Sequence, residues 1–172
     1  NAVFGLSDEQ ARNGVATHSS GNHASCLSYA ASLRGIPCNV VMPRTAPQAK
    51  KDAVRRYGGT ITECEPSTTS RDAVFAEIQA RTGGEFVHPY NDPRVIAGQG
   101  TIALEMLEQL PRLDVVYVSI GGGGLISGIG AVLKAYSPNT RLVGVSTINS
   151  MAMSASIRAG HNVEVTHTET LA

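Results

Sequence analysis

The 172-residue sequence has no surplus of charge of either sign: 14 lysines and arginines balance 14 aspartates and glutamates. A chain without a basic excess cannot neutralise a nucleic-acid backbone, so nucleic acid and acidic membrane surfaces are excluded as partners. Long apolar runs are also missing, which excludes a membrane-spanning helix, and no signal-peptide pattern opens the chain. Cysteine is sparse. Cys26, Cys38 and Cys64 cannot all pair and none lies in a Cys-x-x-Cys spacing, so reduced thiols in a cytoplasmic protein are expected. No carboxylate occurs between Asp114 and Glu164, and neither His-Glu-x-x-His nor a cysteine cluster is present, so no metal site is expected. Gly-x-Ser-x-Gly is missing as well, which removes support for a hydrolase nucleophile elbow.

Glycine, by contrast, is concentrated in one place. Asp114–Val118 reads as a buried strand; it is followed by Ser119-Ile120-Gly121-Gly122-Gly123-Gly124, and then by Leu125, Ile129, Val132 and Leu133 at helical spacing. Four residues without Cβ between a strand and a helix let backbone N–H groups converge on an oxyanion, where the macrodipole also favours negative charge. A phosphate cradle is the functional reading, and a turn needed only for close packing is the alternative. The run fits neither Gly-x-Gly-x-x-Gly nor a P-loop, so the phosphate is not assigned to a nucleotide. A second polar turn, Ser19-Ser20-Gly21-Asn22-His23, also joins a strand to a helix. Its hydroxyls, carboxamide and backbone N–H groups suit a carboxylate, while helix capping by Ser20 or Asn22 is the alternative.

Along the chain, strands and helices alternate about six times, the pattern of a parallel α/β sheet with right-handed crossovers. Ser7 and Gln10 form a capping box, and a helix is expected from Asn1 as well. Ala24, Leu27, Ala30, Ala31 and Leu33 share one face of the helix after the second turn. A basic helix carrying Lys50, Lys51, Arg55 and Arg56 reads as solvated, and Ala73, Val74 and Ile78 are expected to point inward from the next one. From Arg94 to Leu110 a helix is expected to bury Ile102, Ala103, Met106, Leu107 and Leu110. It contains Gly98-Gln99-Gly100 at a cost of roughly 1 kcal/mol per glycine, so a close approach is expected there. The strand Arg141–Ser146 and a helix ending at Gly160 complete the pattern.

Together, Thr17–Ala24, Pro43-Arg44-Thr45-Ala46-Pro47, Val95–Thr101 and Gly121–Leu125 resemble the serine/threonine dehydratase and serine racemase family of pyridoxal-phosphate enzymes. The resemblance covers nearly the whole chain. It implies a two-lobed parallel-sheet fold like that of the tryptophan synthase β subunit, with residues 15–92 in a small domain and residues 1–14 and 93–172 in a large cofactor-binding domain. It implies that Gly121, Gly122, Gly123 and Gly124 hold the phosphate of pyridoxal 5'-phosphate and that Asn22 sits by its phenolic oxygen. Ser19, Ser20, Gly21, Asn22 and His23 would hold the substrate carboxylate, with Ser20 as an acid/base and Arg71 closing over the substrate. The Schiff-base lysine of the family falls ahead of Asn1, so this chain is expected to be a fragment, inactive by itself. Ser146 stands where metal-binding members carry glutamate, and Tyr90 where racemases carry a smaller polar residue. The expected reaction of the complete protein, a homodimer, is dehydration of L-threonine or L-serine to a 2-oxo acid and ammonia, accompanied by serine racemase activity. A β-replacement enzyme such as a cysteine synthase, and a non-catalytic phosphate-binding fragment, are the alternatives.

Overall fold

The computed structural model describes residues 1–110 and 112–165. The chain divides into two compact units, Asn1–Arg94 and Val95 onward. The strands of both are parallel and alternate with helices.

The first unit is built on a four-stranded sheet. Its central strand β1 (Val15–His18) is buried along its whole length, as a strand covered by helices on both faces must be. It lies between β2 (Cys38–Pro43) and the two-residue β4 (Glu85–Phe86), and β3 (Thr60–Cys64) forms the far edge, giving the order β3-β2-β1-β4. Helix α1 (Asp8–Ala11) precedes β1, and α2 (Asn22–Arg34), α3 (Gln48–Arg56) and α4 (Thr68–Thr82) connect the strands. The expected capping box closes α1: Ser7 Oγ accepts from the Gln10 amide at 3.2 Å while Gln10 Oε1 accepts from the Ser7 amide at 2.9 Å. Residues 1–5 form turns rather than the expected helix, tied by the Gly5 amide donating to the Asn1 carbonyl.

Two helices turn most of the expected residues inward, with Ser28 and Phe75 added and Leu33 and Ala73 left out. The buried stripe of α2 is Ala24, Leu27, Ser28 and Ala31, a strict i, i+3, i+4, i+7 set, and Leu33 lies off it at 61% exposure. Ser28 is tolerated because its hydroxyl donates to the Ala24 carbonyl at 2.8 Å. In α4, Phe75 and Ile78 are buried against Ala16, Val41 and Cys64, while Ala73 is exposed. The basic helix α3 is not uniformly solvated either. Lys51 is buried, and its Nζ donates to Glu63 Oε1 at 2.7 Å and to the Arg44 carbonyl at 2.8 Å. A buried ammonium is stable only with such partners, one supplied by the edge strand β3 and the other by the residue after β2.

The second unit holds most of α5 (Pro93–Gln109), then β5 (Val115–Ser119), α6 (Gly124–Tyr136), β6 (Arg141–Val145) and α7 (Ala152–Ala159). β5 and β6 pair in parallel, from Val115 opposite Arg141 to Ser119 opposite Val145. Ala103, Val116, Val118, Ile129 and Leu133 form its core, with Met106, Leu107, Leu125 and Val132 packed against them. β5 was expected to be buried throughout but alternates: Val116 and Val118 face the core while Tyr117 is 68% exposed. Ile102 and Leu110 are also exposed, because the inward face of α5 is centred on Ala103. Gly100 of α5 has a packing reason, since it lies so close to Gly128 of α6 that Gly128 has no room for a side chain. Among the described residues no helix is long and apolar enough to cross a membrane.

Candidate active site

The two polar turns lie at the C-terminal ends of β1 and β5, one in each unit. Strand ends of this kind are where parallel α/β sheets hold ligands, because the helices that follow present their N-termini there.

After β1 the chain passes through Ser19, Ser20 and Gly21 into α2. Gly21 is the N-cap and no side chain caps the helix, so the alternative of simple capping by Ser20 or Asn22 is not realised. The N–H groups of the first turn therefore keep their capacity for an anion. The turn is held from both sides. The Ser19 amide donates to the Val41 carbonyl of β2 at 3.1 Å, and Ser19 Oγ accepts from the Gly21 amide at 3.3 Å. On the β4 side, Thr17 Oγ1 donates to the Val87 carbonyl at 2.8 Å and His23 Nε2 lies 3.2 Å from the same oxygen. A carbonyl only accepts, so Nε2 carries the proton and His23 is fastened to the loop after β4. Ser20 is exposed, and its hydroxyl has no partner among the described residues.

Beside this turn sits a group of rings that sequence reasoning missed. His18 is buried between Phe75 and Phe86, each centroid 5.3 Å away, and His88 lies 5.6 Å from it. His88 Nδ1 accepts from the amides of Asn91 at 2.9 Å and Tyr90 at 3.2 Å. Burial pushes the pKa of all three histidines below the usual imidazole value, and the nearby Arg71 charge adds to this for His18 and His88. They are neutral at neutral pH. Arg71 itself is half-buried and bonded to Asp72, with Nε at 3.0 Å and Nη2 at 2.9 Å from Oδ1. Tyr90, expected to mark specificity, stacks edge-on against His88 at 4.5 Å. Cys64 and Cys38 are buried with thiol pKa values pushed up by that burial, which suits core filling and not nucleophilic chemistry.

The second turn is the glycine run. Gly121 and Gly122 are exposed, and Gly123 is the N-cap of α6 in the left-handed conformation at φ +91°, again with no capping side chain. A Cβ on Gly121 would project into open space, so its absence is not explained by close packing. At Gly123 the positive φ requires glycine, and a Cβ would also come 3.0 Å from Met153 Cε. An open face bounded by unpaired N–H groups at a helix start fits a phosphate. Ser146 lines an open cavity of about 530 Å³ in the same unit, together with Ile120, Ile126, Gly144 and Val145. Among the described residues no group of three or more histidine, cysteine, aspartate or glutamate side chains is placed to hold a metal ion.

The whole chain, residues 1–172, matches the model of a family described as pyridoxal-phosphate dependent enzyme. It is 67% identical over 161 residues, 94% of its length, to a β-hydroxyaspartate dehydratase of Paracoccus denitrificans, and covers 51% of that protein. An L-threonine ammonia-lyase of Thermotoga maritima is 45% identical over 173 residues, matching all of this chain and 43% of the relative. The solved structure of maize serine racemase superposes with a TM-score of 0.95 at 43% identity, over 98% of this chain and 51% of that one. The chain thus spans about half the length of the relatives it matches. Its parallel α/β architecture is that of the fold-type II enzymes. This chain belongs to the pyridoxal-phosphate-dependent enzyme family, in its serine racemase and threonine ammonia-lyase branch.

Proposed function

We propose that this chain carries the carboxylate-binding and phosphate-binding turns of a dehydratase, an ammonia-lyase, acting on β-hydroxy-α-amino acids. The water lost from the β-carbon is taken up again when the resulting imine hydrolyses, so the net products are a 2-oxo acid and ammonia. The observation that carries the reading is the pair of uncapped helix starts, Gly21 before α2 and Gly123 before α6, each behind a parallel strand. Gly121 to Gly124 hold the cofactor phosphate and Asn22 lies by its phenolic oxygen. When bound, pyridoxal phosphate spreads the electron pair released at the substrate Cα, which makes that proton removable. Ser19 to His23 orient the substrate carboxylate, with His23 acting through its bond to the Val87 carbonyl. The lysine that anchors the cofactor is assigned to the remainder of the protein. In that whole protein residues 1–14 and 93–172 belong to the large domain and residues 15–92 to the small one.

L-Serine and L-threonine are the first substrates to test, and the name of the Paracoccus relative adds β-hydroxyaspartate to them. The reading includes a homodimer in the cytoplasm, where the three free cysteines stay reduced. The experiment is to supply the complete protein with pyridoxal phosphate and each amino acid, and to follow release of ammonia and 2-oxo acid. Release from none of them, or sulfide incorporation from O-acetylserine instead, would discard the dehydratase reading.

Racemisation is favoured as a second activity by one observation, the exposed hydroxyl of Ser20, which has no partner among the described residues. As a proton donor at Cα it serves the product of opposite hand. Ser20→Ala in the whole enzyme is expected to depress racemisation by about 100-fold while elimination falls much less. Equal losses would remove Ser20 from the acid/base role.

A further inference from the structure

We propose that Lys50 is a substrate-binding residue, whose ammonium gives the fixed positive charge to a carboxylate turn whose other donors are neutral. The inference rests on the assignment of Ser19–His23 to the substrate carboxylate.

The placement follows from the sheet. β1 and β2 pair in parallel with His18 opposite Val41, so the chain leaves both strands at the same end of the sheet and α2 and α3 begin side by side. Lys50 is in the first turn of α3. Its Nζ lies 3.5 Å from where a Cβ on Gly21 would stand, which puts the ammonium against the turn itself.

Two features set Lys50 apart from an ordinary surface lysine. Its neighbour Lys51 is consumed by Glu63 and the Arg44 carbonyl, whereas Lys50 has no hydrogen-bond or ion-pair partner among the described residues. The acid closest to it in sequence, Asp52, is engaged by Gln48 at 2.6 Å and Arg55 at 3.5 Å. Neither α2 nor α3 has an acidic residue in its first turn. A cation at the start of one helix and beside the start of another sits in an already positive potential, an unfavourable position that an incoming carboxylate relieves. Gly21, by lacking a Cβ, leaves that gap open for a carboxylate oxygen to lie between the N–H groups of the first turn of α2 and the ammonium.

The test uses the complete enzyme loaded with pyridoxal phosphate. Lys50→Gln is expected to raise KM about tenfold for both L-serine and β-hydroxyaspartate, with kcat within about twofold, because the turn holds the carboxylate common to both. The penalty should shrink as salt rises from about 0.05 to about 0.5 M, and Lys50→Arg should restore most of the affinity. Unchanged KM, a loss confined to β-hydroxyaspartate, or a fall in kcat alone would each overturn the assignment. Calorimetric titration with malonate, an unreactive carboxylate, decides the matter even if the wild-type enzyme turns over none of these amino acids. Weaker malonate binding by Lys50→Gln supports the role of Lys50, and equal binding overturns it. Failure of turnover by the wild-type enzyme bears only on the dehydratase reading.

Discussion

Gly128 of α6 is seated directly against Gly100 of α5: a Cβ on Gly128 would lie 2.7 Å from the Gly100 amide nitrogen and 2.3 Å from the Ile96 carbonyl oxygen. Both contacts are to backbone, which cannot swing aside. Alanine is worth about 1 kcal/mol over glycine within a helix, but forcing two helices apart costs more. Gly128→Ala is therefore expected to destabilise by about 2 kcal/mol in denaturant melts. At Gly100 the nearest atoms stand at 3.1 and 3.2 Å, the first of them a movable Val132 methyl, so Gly100→Ala should fall within about 1 kcal/mol of wild type. Equal penalties at the two positions would show that the helices separate freely.

Lys51 and Glu63 give a pH prediction with a definite sign. The hydrogen bond and charge of Lys51 hold the Glu63 carboxyl below its usual pKa. A depressed acid contributes stability above its unfolded pKa and loses it as pH falls through the folded value. Glu63→Gln should therefore be less stable than wild type at pH 7, and the two should converge as pH is lowered below about 4. Thermal melts across that range check it. A gap that persists in acid would mean that the pair acts by packing.

The histidines act in the same direction at higher pH. Burial first, and then the Arg71 charge, lower the pKa of His88 in the folded state, so the unfolded chain binds more protons just below pH 6.5 and stability falls on acidification. Protonation at Nδ1 would also remove the acceptor that holds the Tyr90 and Asn91 amides. His88→Asn keeps an acceptor near the Nδ1 position and cannot titrate. Its melting temperature should drop less than that of wild type between pH 7.5 and pH 5.5. His18 and His23 still titrate there, so part of the slope should remain. An identical slope would take His88 out of the acid response.

The features that the sequence disclosed are those written in local chemistry. The Ser7–Gln10 capping box, the two strand–turn–helix junctions and the cost of Gly98 and Gly100 are each set by residues within a few positions of one another. What escaped is set by pairing between distant segments. Lys51 looks solvated until the β2–β3 register, with Met42 opposite Glu63, brings a carboxylate to it. Lys50 looks equally bland until parallel pairing of β1 with β2 starts two helices at one end of the sheet. Leu33 and Ala73 were given to the wrong faces because apolar residues exceed what one stripe can bury, and only the sheet decides which stripe turns inward. The candidate site follows the same division: its two turns were legible, but the Val87 carbonyl that fastens Thr17 and His23, and the ring cluster around His18, were not.

Gly121 and Gly123 separate the proposed phosphate role of the glycine run from its structural role. At Gly123 a side chain meets both a left-handed backbone and the Met153 methyl, so Gly123→Ala should cost about 1–2 kcal/mol of stability as well as cofactor affinity. At Gly121 an added Cβ meets nothing within 4 Å, so Gly121→Ala should leave stability within about 0.5 kcal/mol of wild type. The space it fills is the space a phosphate oxygen would need to reach the N–H groups at the start of α6. Titration of the complete protein with pyridoxal phosphate should then show affinity weakened by about tenfold, with inorganic phosphate competing less well by a similar factor. Lost affinity at unchanged stability assigns Gly121 to the phosphate. Undiminished affinity in Gly121→Ala would move the phosphate to other donors, and the run would then be a packing device.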